Sequence, residues 1–257
     1  MAAKNLWTKE ELILAFNLYL KIEFGKTHKG NPQVIELANL LGRTPSSIAM
    51  RLGNFASVDP YHLQRGIGGL QNGSNQVQPI WDEFFNNQEE LIFLSEKILA
   101  EKENSTIENK YQNLLFDLKD LKGETVKREI KTRVNQSVFR QIVLANYNNK
   151  CAITGIDIPE LLLASHIIPW SKNEEHRLNP ENGICLSALY DKAFDKGILG
   201  INKNYTVILS TNLKKKKDTA FFKSYFAPID NQKITTAVKY FPRVEFLEFH
   251  LDTIFEK

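Results

Sequence analysis

One stretch of the sequence, residues 165–197, constrains the chain more than any other. It begins with His166, which follows the apolar run 161–163, and it continues to Asn182 and a short strand-like piece at 183–186. It ends in a helix-like piece that carries Asp191 and Asp195. Two carboxylates four residues apart project from one face of a helix. A histidine that titrates near neutral pH, together with two carboxylates, suits a hydrolytic metal site.

The order of these residues resembles the HNH, or ββα-metal, endonuclease family. The closest likeness is to its restriction-type branch, whose core reads S-H-I-x-P-W, R-x-N-P-x-N-G and L-x-D-x-x-F-D-x-G; the likeness covers roughly residues 125–200. It implies that His166 is the general base, that Asn182 holds the loop that aims the base, and that Asp191 and Asp195 bind the metal. Ser165 stands where the family often has an Asp or His ligand. Water or the Ser165 hydroxyl would then complete the metal shell.

The predicted cofactor is Mg²⁺ or Mn²⁺, because oxygen ligands favour these hard ions over zinc. Many members of the family also carry a structural zinc on paired C-x-x-C motifs. This chain has two cysteines, Cys151 and Cys185, and the first motif reads C-A-I-T. Two cysteines cannot supply the four sulfur ligands of such a site, so we expect no structural zinc.

Basic and polar residues flank this core. A helix predicted around 128–147 resembles the R-x-x-Q-x-x-F-R helix of the same branch, which implies phosphate contacts for Arg133 and Arg140, with Gln136 on the adjoining face. Arg177 and Lys192 are candidates to brace the scissile phosphate. Each of these side chains has a simpler interpretation as a solvated residue, and so has the run of lysines at 214–217.

The first 60 residues predict three helices. Helical spacing and a capping box from Thr8 to Glu11 indicate a helix over 8–23, and a second over 32–41 ends at Gly42. Thr44 then caps a third helix.

The second and third helices resemble a helix-turn-helix. If they form one, Ser46, Ser47, Met50 and Arg51 point outward towards a major groove, and Arg43 lies near a phosphate. The alternative is a three-helix bundle that serves packing or dimerisation.

The predicted fold class is α+β, with a mainly helical N-terminal half and a C-terminal ββα-metal nuclease domain. We divide the chain into a recognition region (1–60), a loop and helical connector (61–124) and the nuclease domain (125–257). Further expected elements are a loop at 59–79, a helix over 80–100, a helical spacer over 97–124, a strand and turn at 150–158, a strand at 205–209 and a closing helix near 246–251.

Composition is that of an ordinary soluble protein, with 42% hydrophobic and 25% charged residues. The net charge of +3 does not by itself identify a nucleic-acid binder. No apolar leader and no uninterrupted run of about 20 apolar residues is present, so we expect a cytoplasmic protein without a membrane partner.

The sequence thus predicts a DNA endonuclease that acts on double-stranded DNA and leaves 5′-phosphate and 3′-hydroxyl ends, as the resemblance implies. A restriction or defence role and a homodimer with two active sites are the further expectations. Two alternatives remain open: a DNA-binding regulator built on a degenerate nuclease core, and an RNA-cutting toxin-like enzyme. Neither the recognised bases nor a requirement for modified cytosine can be read from the residues.

Overall fold

The computed structural model describes residues 6–23, 25–66, 74–115 and 124–257, and these residues form two compact units, Met1–Val138 and Phe139–Lys257. The α-helices are α1 Lys9–Lys21, α2 Pro32–Leu41, α3 Pro45–Val58, α4 Pro60–Gln64, α5 Gln78–Phe84, α6 Gln88–Lys102, α7 Ile107–Lys110, α8 Glu124–Asn146, α9 Ala188–Asp195, α10 Thr211–Lys214, α11 Ala220–Tyr225 and α12 Val244–Thr253. The strands are β1 Leu162–His166, β2 Gly183–Ser187, β3 Leu199–Ile201 and β4 Val207–Leu209. Within those described ranges, no helix combines the length and the apolar character that crossing a bilayer requires.

The first unit begins with the capping box that the sequence predicts. The Thr8 hydroxyl accepts from the Glu11 amide, and the Glu11 carboxylate accepts from the Thr8 amide. Both bonds satisfy amides that a helix start would otherwise leave unpaired. One face of α1 then enters the core, where the ring of Phe16 stacks on Phe55 at 4.8 Å and on Trp81 at 5.0 Å.

Helix α2 also begins and ends at the predicted residues, and α3 begins after its predicted cap. The Asn31 side chain caps α2, Gly42 ends it in the left-handed region with φ of 61°, and the Thr44 hydroxyl caps α3. Glycine enters that region without the steric cost that a Cβ imposes. The three predicted helices are therefore confirmed as elements of the fold.

A buried carboxylate ties α6 to α1 in this unit. Glu96 is 2% exposed and accepts from the Lys21 ammonium at 2.8 Å and from the Asn17 amide at 3.0 Å. The Tyr111 hydroxyl donates to its second oxygen at 2.8 Å. A charge buried at this depth is tolerated because each oxygen has a donor and a cation is adjacent.

Two predictions for the middle of the chain are wrong. The helix expected over 80–100 is two helices, α5 and α6, separated by residues 85–87. The continuous helical spacer expected over 97–124 is interrupted as well, since α6 ends at Lys102 and only the short α7 and a 3₁₀ turn follow before residue 115. Parts of this spacer (116–123) and of the predicted loop at 59–79 (67–73) lie outside the described residues.

The second unit contains two small antiparallel sheets. Strand β1 pairs with β2, so that Ser165 lies opposite Ile184 and His166 opposite Gly183, and helix α9 follows β2 directly. Strand β3 pairs with β4, whose bounds lie within the predicted strand at 205–209. The mixed helical fold with small antiparallel sheets agrees with the α+β class.

Of the strand and turn predicted at 150–158, the turn is confirmed and the strand is wrong. The Gly155 amide donates to the Cys151 carbonyl at 2.8 Å, and Gly155 has φ of 72°, so the segment is a tight turn. Cys151 and Ala152 are buried, and their amides donate to the Ile156 carbonyl and to the Cys185 carbonyl of β2.

The closing helix α12 is confirmed, and it carries a buried histidine. The imidazole of His250 is 1% exposed, stacks on the Phe194 ring at 3.8 Å and donates from Nε2 to the Phe194 carbonyl at 3.0 Å. Burial lowers the pKa of His250 to about 4, and the carbonyl of Phe194 offsets that effect in part.

The lowered pKa of His250 predicts a loss of stability in acid. An unfolded histidine titrates near pH 6.5. The stability that depends on a neutral His250 is therefore fully present above pH 6.5 and is lost as the pH falls towards 4. We expect wild type to lose about 2 kcal/mol of unfolding free energy through this group between about pH 7.5 and pH 5. Urea denaturation at both values should show a smaller loss for His250→Gln, which keeps a side-chain donor but does not titrate. Identical losses in the two proteins would contradict this assignment.

Candidate active site

The β1–β2 pair and α9 bring the predicted site residues of the second unit together. His166 is the last residue of β1, and Asn182 immediately precedes β2. Asp191 and Asp195 lie on α9, which begins right after β2 ends. A strand pair with a helix at its end therefore delivers the histidine and the carboxylates to one region of the unit.

The hydrogen bond of His166 determines which of its nitrogens is free. Nε2 lies 2.8 Å from the backbone carbonyl oxygen of Arg177. A carbonyl only accepts, so Nε2 carries the proton and Nδ1 keeps its lone pair. Burial lowers the pKa of His166, whereas the Arg177 carbonyl and the negative charge of Asp191 act in the opposite direction. The ring is consequently neutral at neutral pH and has one nitrogen available as a base.

Two aromatic rings fix the plane of this imidazole. Phe139 of α8 stacks on it with a centroid distance of 4.3 Å and an interplanar angle of 14°, and Trp170 meets it edge-on at 5.5 Å. Gly183 makes room for the stack, because a Cβ at that position would lie 3.0 Å from the Phe139 ring and even closer to Val143. The glycine of the N-P-E-N-G motif is thus needed for the close approach of α8 to β2.

Asn182 is the fixed point of the loop between β1 and β2. Its side chain is fully buried, and its Oδ1 accepts from the Ile168 amide at 2.8 Å. Its Nδ2 donates to the carbonyls of Ile168 and His176, each at 3.1 Å. One amide therefore holds both sides of the loop, and the Arg177 carbonyl that bonds to His166 comes directly after the second of these contacts.

Ser165 and Asp191 are direct neighbours. The Ser165 hydroxyl, which is buried, donates to Oδ1 of Asp191. Asp195 lies one turn further along α9, and burial together with the charge of Asp191 raises its pKa. The predicted ligands Ser165, Asp191 and Asp195 accordingly share one environment, in which two carboxylates repel each other.

The donor set suits a hard cation. Among the described residues there is no group of three or more His, Cys, Asp or Glu side chains able to hold a metal ion. Mg²⁺ commonly binds through only one or two carboxylates and takes its remaining ligands from water and substrate phosphate. Burial, and secondly the charge of Asp191, raises the pKa of Asp195, and a divalent cation bound by the two carboxylates would relieve the repulsion between them. The residues therefore fit Mg²⁺ or Mn²⁺.

The residues predicted to contact DNA on α8 have different surroundings. Arg140 donates to the carbonyls of Pro159 and Leu162, both at 2.9 Å, and thereby fixes the start of β1. Arg133 donates to the Leu114 carbonyl at 2.6 Å, and Gln136 is exposed. Both arginines thus have structural partners in addition to the phosphate role that the resemblance implies.

Arg177 and Lys192 also differ from each other. The guanidinium of Arg177 lies over the Trp170 ring at 5.1 Å and pairs with the exposed carboxylate of Glu174 at 3.1 Å. Lys192 is exposed on α9, next to Asp191. Lys192 is thus solvated, whereas Arg177 already has an ionic partner at the surface.

In the first unit, the exposed side of α3 presents Ser46 and Met50, and Ser47 is half-buried. Arg43 pairs with Glu11 at 2.7 Å, and its guanidinium lies 4.3 Å from the Trp7 ring, so a phosphate would have to compete with that carboxylate. Arg51 lies 4.7 Å from the same ring. Burial, and secondly the charge of Arg43, lowers the pKa of Arg51.

The geometry described above is that of a strand pair and a helix that place a histidine near a serine hydroxyl and two carboxylates. Residues 151–202 match the model of the HNH endonuclease family, and they include β1, β2, α9 and β3. The chain therefore contains an HNH endonuclease domain at those residues, which indicates a nuclease of a generally metal-dependent class that acts on DNA. No curated protein matched the chain.

Two contacts that orient the His166 ring were not predicted from the sequence. Phe139 is the phenylalanine of the R-x-x-Q-x-x-F-R likeness, but its stacking on His166 was not predicted, and the Arg177 carbonyl belongs to the backbone, which any residue would supply. Trp170 carried a signal, since it ends the S-H-I-I-P-W motif. Gly183 carried one too, as the glycine that follows Asn182.

Removal of the Asn182 amide should destabilise the loop and with it the base. Asn182→Ala would leave the Ile168 amide and two carbonyls buried without partners, and we expect a loss of about 3 kcal/mol of unfolding free energy in urea titrations. Asn179→Ala is the matched control, because it removes a half-buried side-chain cap on the Glu181 amide in the same loop. Equal stability of the two variants would show that Asn182 does not hold the loop.

Proposed function

We propose that the protein is a metal-dependent DNA endonuclease that hydrolyses phosphodiester bonds to 5′-phosphate and 3′-hydroxyl ends. The observation that carries the proposal is the hydrogen bond from His166 Nε2 to the Arg177 carbonyl, beside the Ser165–Asp191 pair. That bond leaves Nδ1 of His166 as a free base next to a set of oxygen ligands. The HNH match over residues 151–202 supports the same reaction class.

His166 would act on the nucleophile. Its Nδ1 has no hydrogen bond to any residue that the structure describes, and the ring is neutral, so it can take a proton from a water molecule as that water attacks phosphorus in line. The Arg177 carbonyl stabilises the imidazolium that forms, because the hydrogen bond that it accepts from the Nε2 N–H is stronger when the ring is a cation. Phe139 and Trp170 keep the ring from rotating away during the transfer.

The carboxylates would act on the phosphate. Asp191 and Asp195, with the Ser165 hydroxyl beside them, would hold Mg²⁺ or Mn²⁺, which neutralises charge at the phosphate and at the leaving 3′ oxygen. Ser165 orients Asp191 by donating to one of its oxygens, so the other oxygen is free. Lys192 on the exposed side of α9 can add positive charge near the bound strand.

The first unit would select the DNA. Helices α2 and α3 with the turn at Gly42 support a helix-turn-helix, and Ser46, Ser47 and Arg51 on α3 would approach the major groove. Arg43 would reach a phosphate only by giving up Glu11. The proposed contacts with the DNA phosphate backbone are made from α8 by Arg133, Gln136 and Arg140.

A restriction or defence role in the cytoplasm follows from this combination of a duplex reader and a cutter. Because one active site breaks one strand, a double-strand cut requires a homodimer with two sites or two successive nicks. The alternative function is a DNA-binding regulator with a degenerate core. It is favoured by one observation, the serine at position 165 where related cores often carry an acidic or histidine ligand.

Loss of the base or of a carboxylate should abolish cleavage without loss of binding. With supercoiled plasmid and Mg²⁺ or Mn²⁺, we expect wild type to produce nicked or linear DNA. His166→Ala should reduce the rate by about 10²–10⁴-fold, the usual contribution of general base catalysis, and Asp191→Asn should reduce it comparably. Gel retardation of the same plasmid should be unchanged in both variants.

His28→Ala and Asp252→Asn are matched controls, since each removes the same group from an exposed position outside the site. Wild-type cutting by His166→Ala or Asp191→Asn would eliminate the site assignment. Absence of cutting by wild type with either metal, together with specific retardation of duplex DNA, would favour the regulator.

A negative charge at the start of α3 should weaken duplex binding if that helix enters a groove. Ser46→Glu places an acid in the first turn, where the helix dipole tolerates it, and we expect binding of a duplex library to fall by about 10-fold or more through repulsion of phosphate. Asn86→Asp adds the same charge at an exposed position outside α2 and α3. Equal binding by these two variants in anisotropy titrations would leave the three helices as a packing or dimerisation bundle.

A further inference from the structure

A second exposed surface of the nuclease-containing unit is rich in lysine. Lys214–Lys217 and Lys223 lie on and beside α10 and α11, and all are exposed. The segment 212–225 carries these five lysines against one acidic residue, Asp218, and so has a net charge of +4, whereas the whole chain totals +3. Positive charge is thus concentrated here, and the remainder of the chain is slightly acidic.

Two aromatic rings stand exposed among these lysines. Phe221 is 53% exposed and Tyr225 is 48% exposed, and their ring centroids are 5.0 Å apart. They are four residues apart on α11, whereas Phe222 and Phe226 of the same segment are buried and anchor it. Phe222 and Phe226 thus anchor α11, while Phe221 and Tyr225 keep about half of their surface exposed, although the Phe221 ring also contacts Phe226 at 5.8 Å.

The surface is attached to the helix that bears the carboxylates. The Tyr190 hydroxyl on α9 donates to the Tyr225 carbonyl at 2.6 Å, and the Tyr190 ring meets Phe226 edge-on at 5.9 Å. Tyr190 is the residue before Asp191. A ligand bound at α11 would therefore be held at a fixed position relative to the candidate active site.

Charge decides which partner fits. A second copy of this surface would bring five lysines against five others, and repulsion between like charges opposes such a dimer. Lys214 has an acidic partner, Asp230 at 3.2 Å, whereas Lys216, Lys217 and Lys223 make no ion pair within the described residues. Cations that lack partners and flank exposed rings suit a polyanion with flat apolar groups, and the HNH match makes a nucleic acid the polyanion to expect.

We infer that Lys214–Lys217, Lys223, Phe221 and Tyr225 form a second nucleic-acid-binding surface that takes a strand with unpaired bases. The lysines bind phosphates, and the two rings stack on bases, which a closed duplex does not expose. The inference rests on the proposed function for its choice of polynucleotide. It extends that function to substrates in which a duplex is locally open or ends in a single strand near the cut.

Binding can be measured independently of cleavage. The full-length chain with Asp191→Asn is titrated, in EDTA, against fluorescent probes of about 20 nucleotides: a single strand, the same strand with abasic spacers, and the duplex. Phe221→Ala/Tyr225→Ala should weaken binding of the single strand by at least about 10-fold and should leave the abasic strand and the duplex within about 2-fold.

The lysines are tested by salt dependence. Lys216→Gln/Lys217→Gln should reduce the slope of log K against log salt for the single strand by about 1.4, since each phosphate contact on a single strand contributes about 0.7. Lys203→Gln/Lys233→Gln is the matched control: it removes the same charge from exposed positions of the same unit and should leave the slope unchanged. Both lysine double variants replace only exposed side chains, so each should keep the wild-type melting curve.

Equal loss in both lysine variants, or unchanged single-strand binding in the aromatic variant, would overturn the inference. The inference would also be overturned if the aromatic and lysine variants lost binding to vesicles containing phosphatidylserine but bound the single strand as wild type does. That result would make the surface a membrane contact. Because all probes are bound in EDTA by Asp191→Asn, failure of the nuclease assignment would appear only in the plasmid assay.

Discussion

A single buried amide determines where the base of the candidate site lies. The side chain of Asn182 satisfies the Ile168 amide and two carbonyls that face each other across the loop between β1 and β2. Unpaired polar groups at this depth are costly, so the loop has one low-energy arrangement. That arrangement positions the Arg177 carbonyl against Nε2 of His166. The tautomer of the base is thus set by loop geometry, and the identity of the side chain at position 177 is not needed for it.

The parts of the fold that follow from short-range chemistry could be predicted from the sequence. Thr8 and Thr44 cap helices through bonds to amides three residues away, and Gly42 ends α2 because its φ is positive. The strand predicted at 150–158 shows the limit of this approach. A strand and a turn were expected there, but only the turn forms, because Gly155 closes it onto the Cys151 carbonyl.

In the candidate site, too, some features were predicted from the sequence and others were not. His166, Asn182 and the two aspartates were singled out by their types, their spacing and the family resemblance, and their roles stay predictions. The partners that adjust them could not be read. Phe139 lies on α8, far along the chain from the His166 ring on which it stacks, and the Arg177 carbonyl has no sequence signature. Arg43 illustrates the converse, since its basic side chain suggested a phosphate contact but tertiary packing supplies it with Glu11 and Trp7.

The serine at position 165 has a consequence for how a metal site of this kind would be filled. A hydroxyl in place of a carboxylate removes one negative charge, and Ser165 uses its proton to bond Asp191. A site with two carboxylates would attract a divalent ion less strongly than a site with three. The phosphate of the substrate then becomes a larger share of the ligand set. Metal and DNA would consequently bind cooperatively, because each supplies charge that the other lacks.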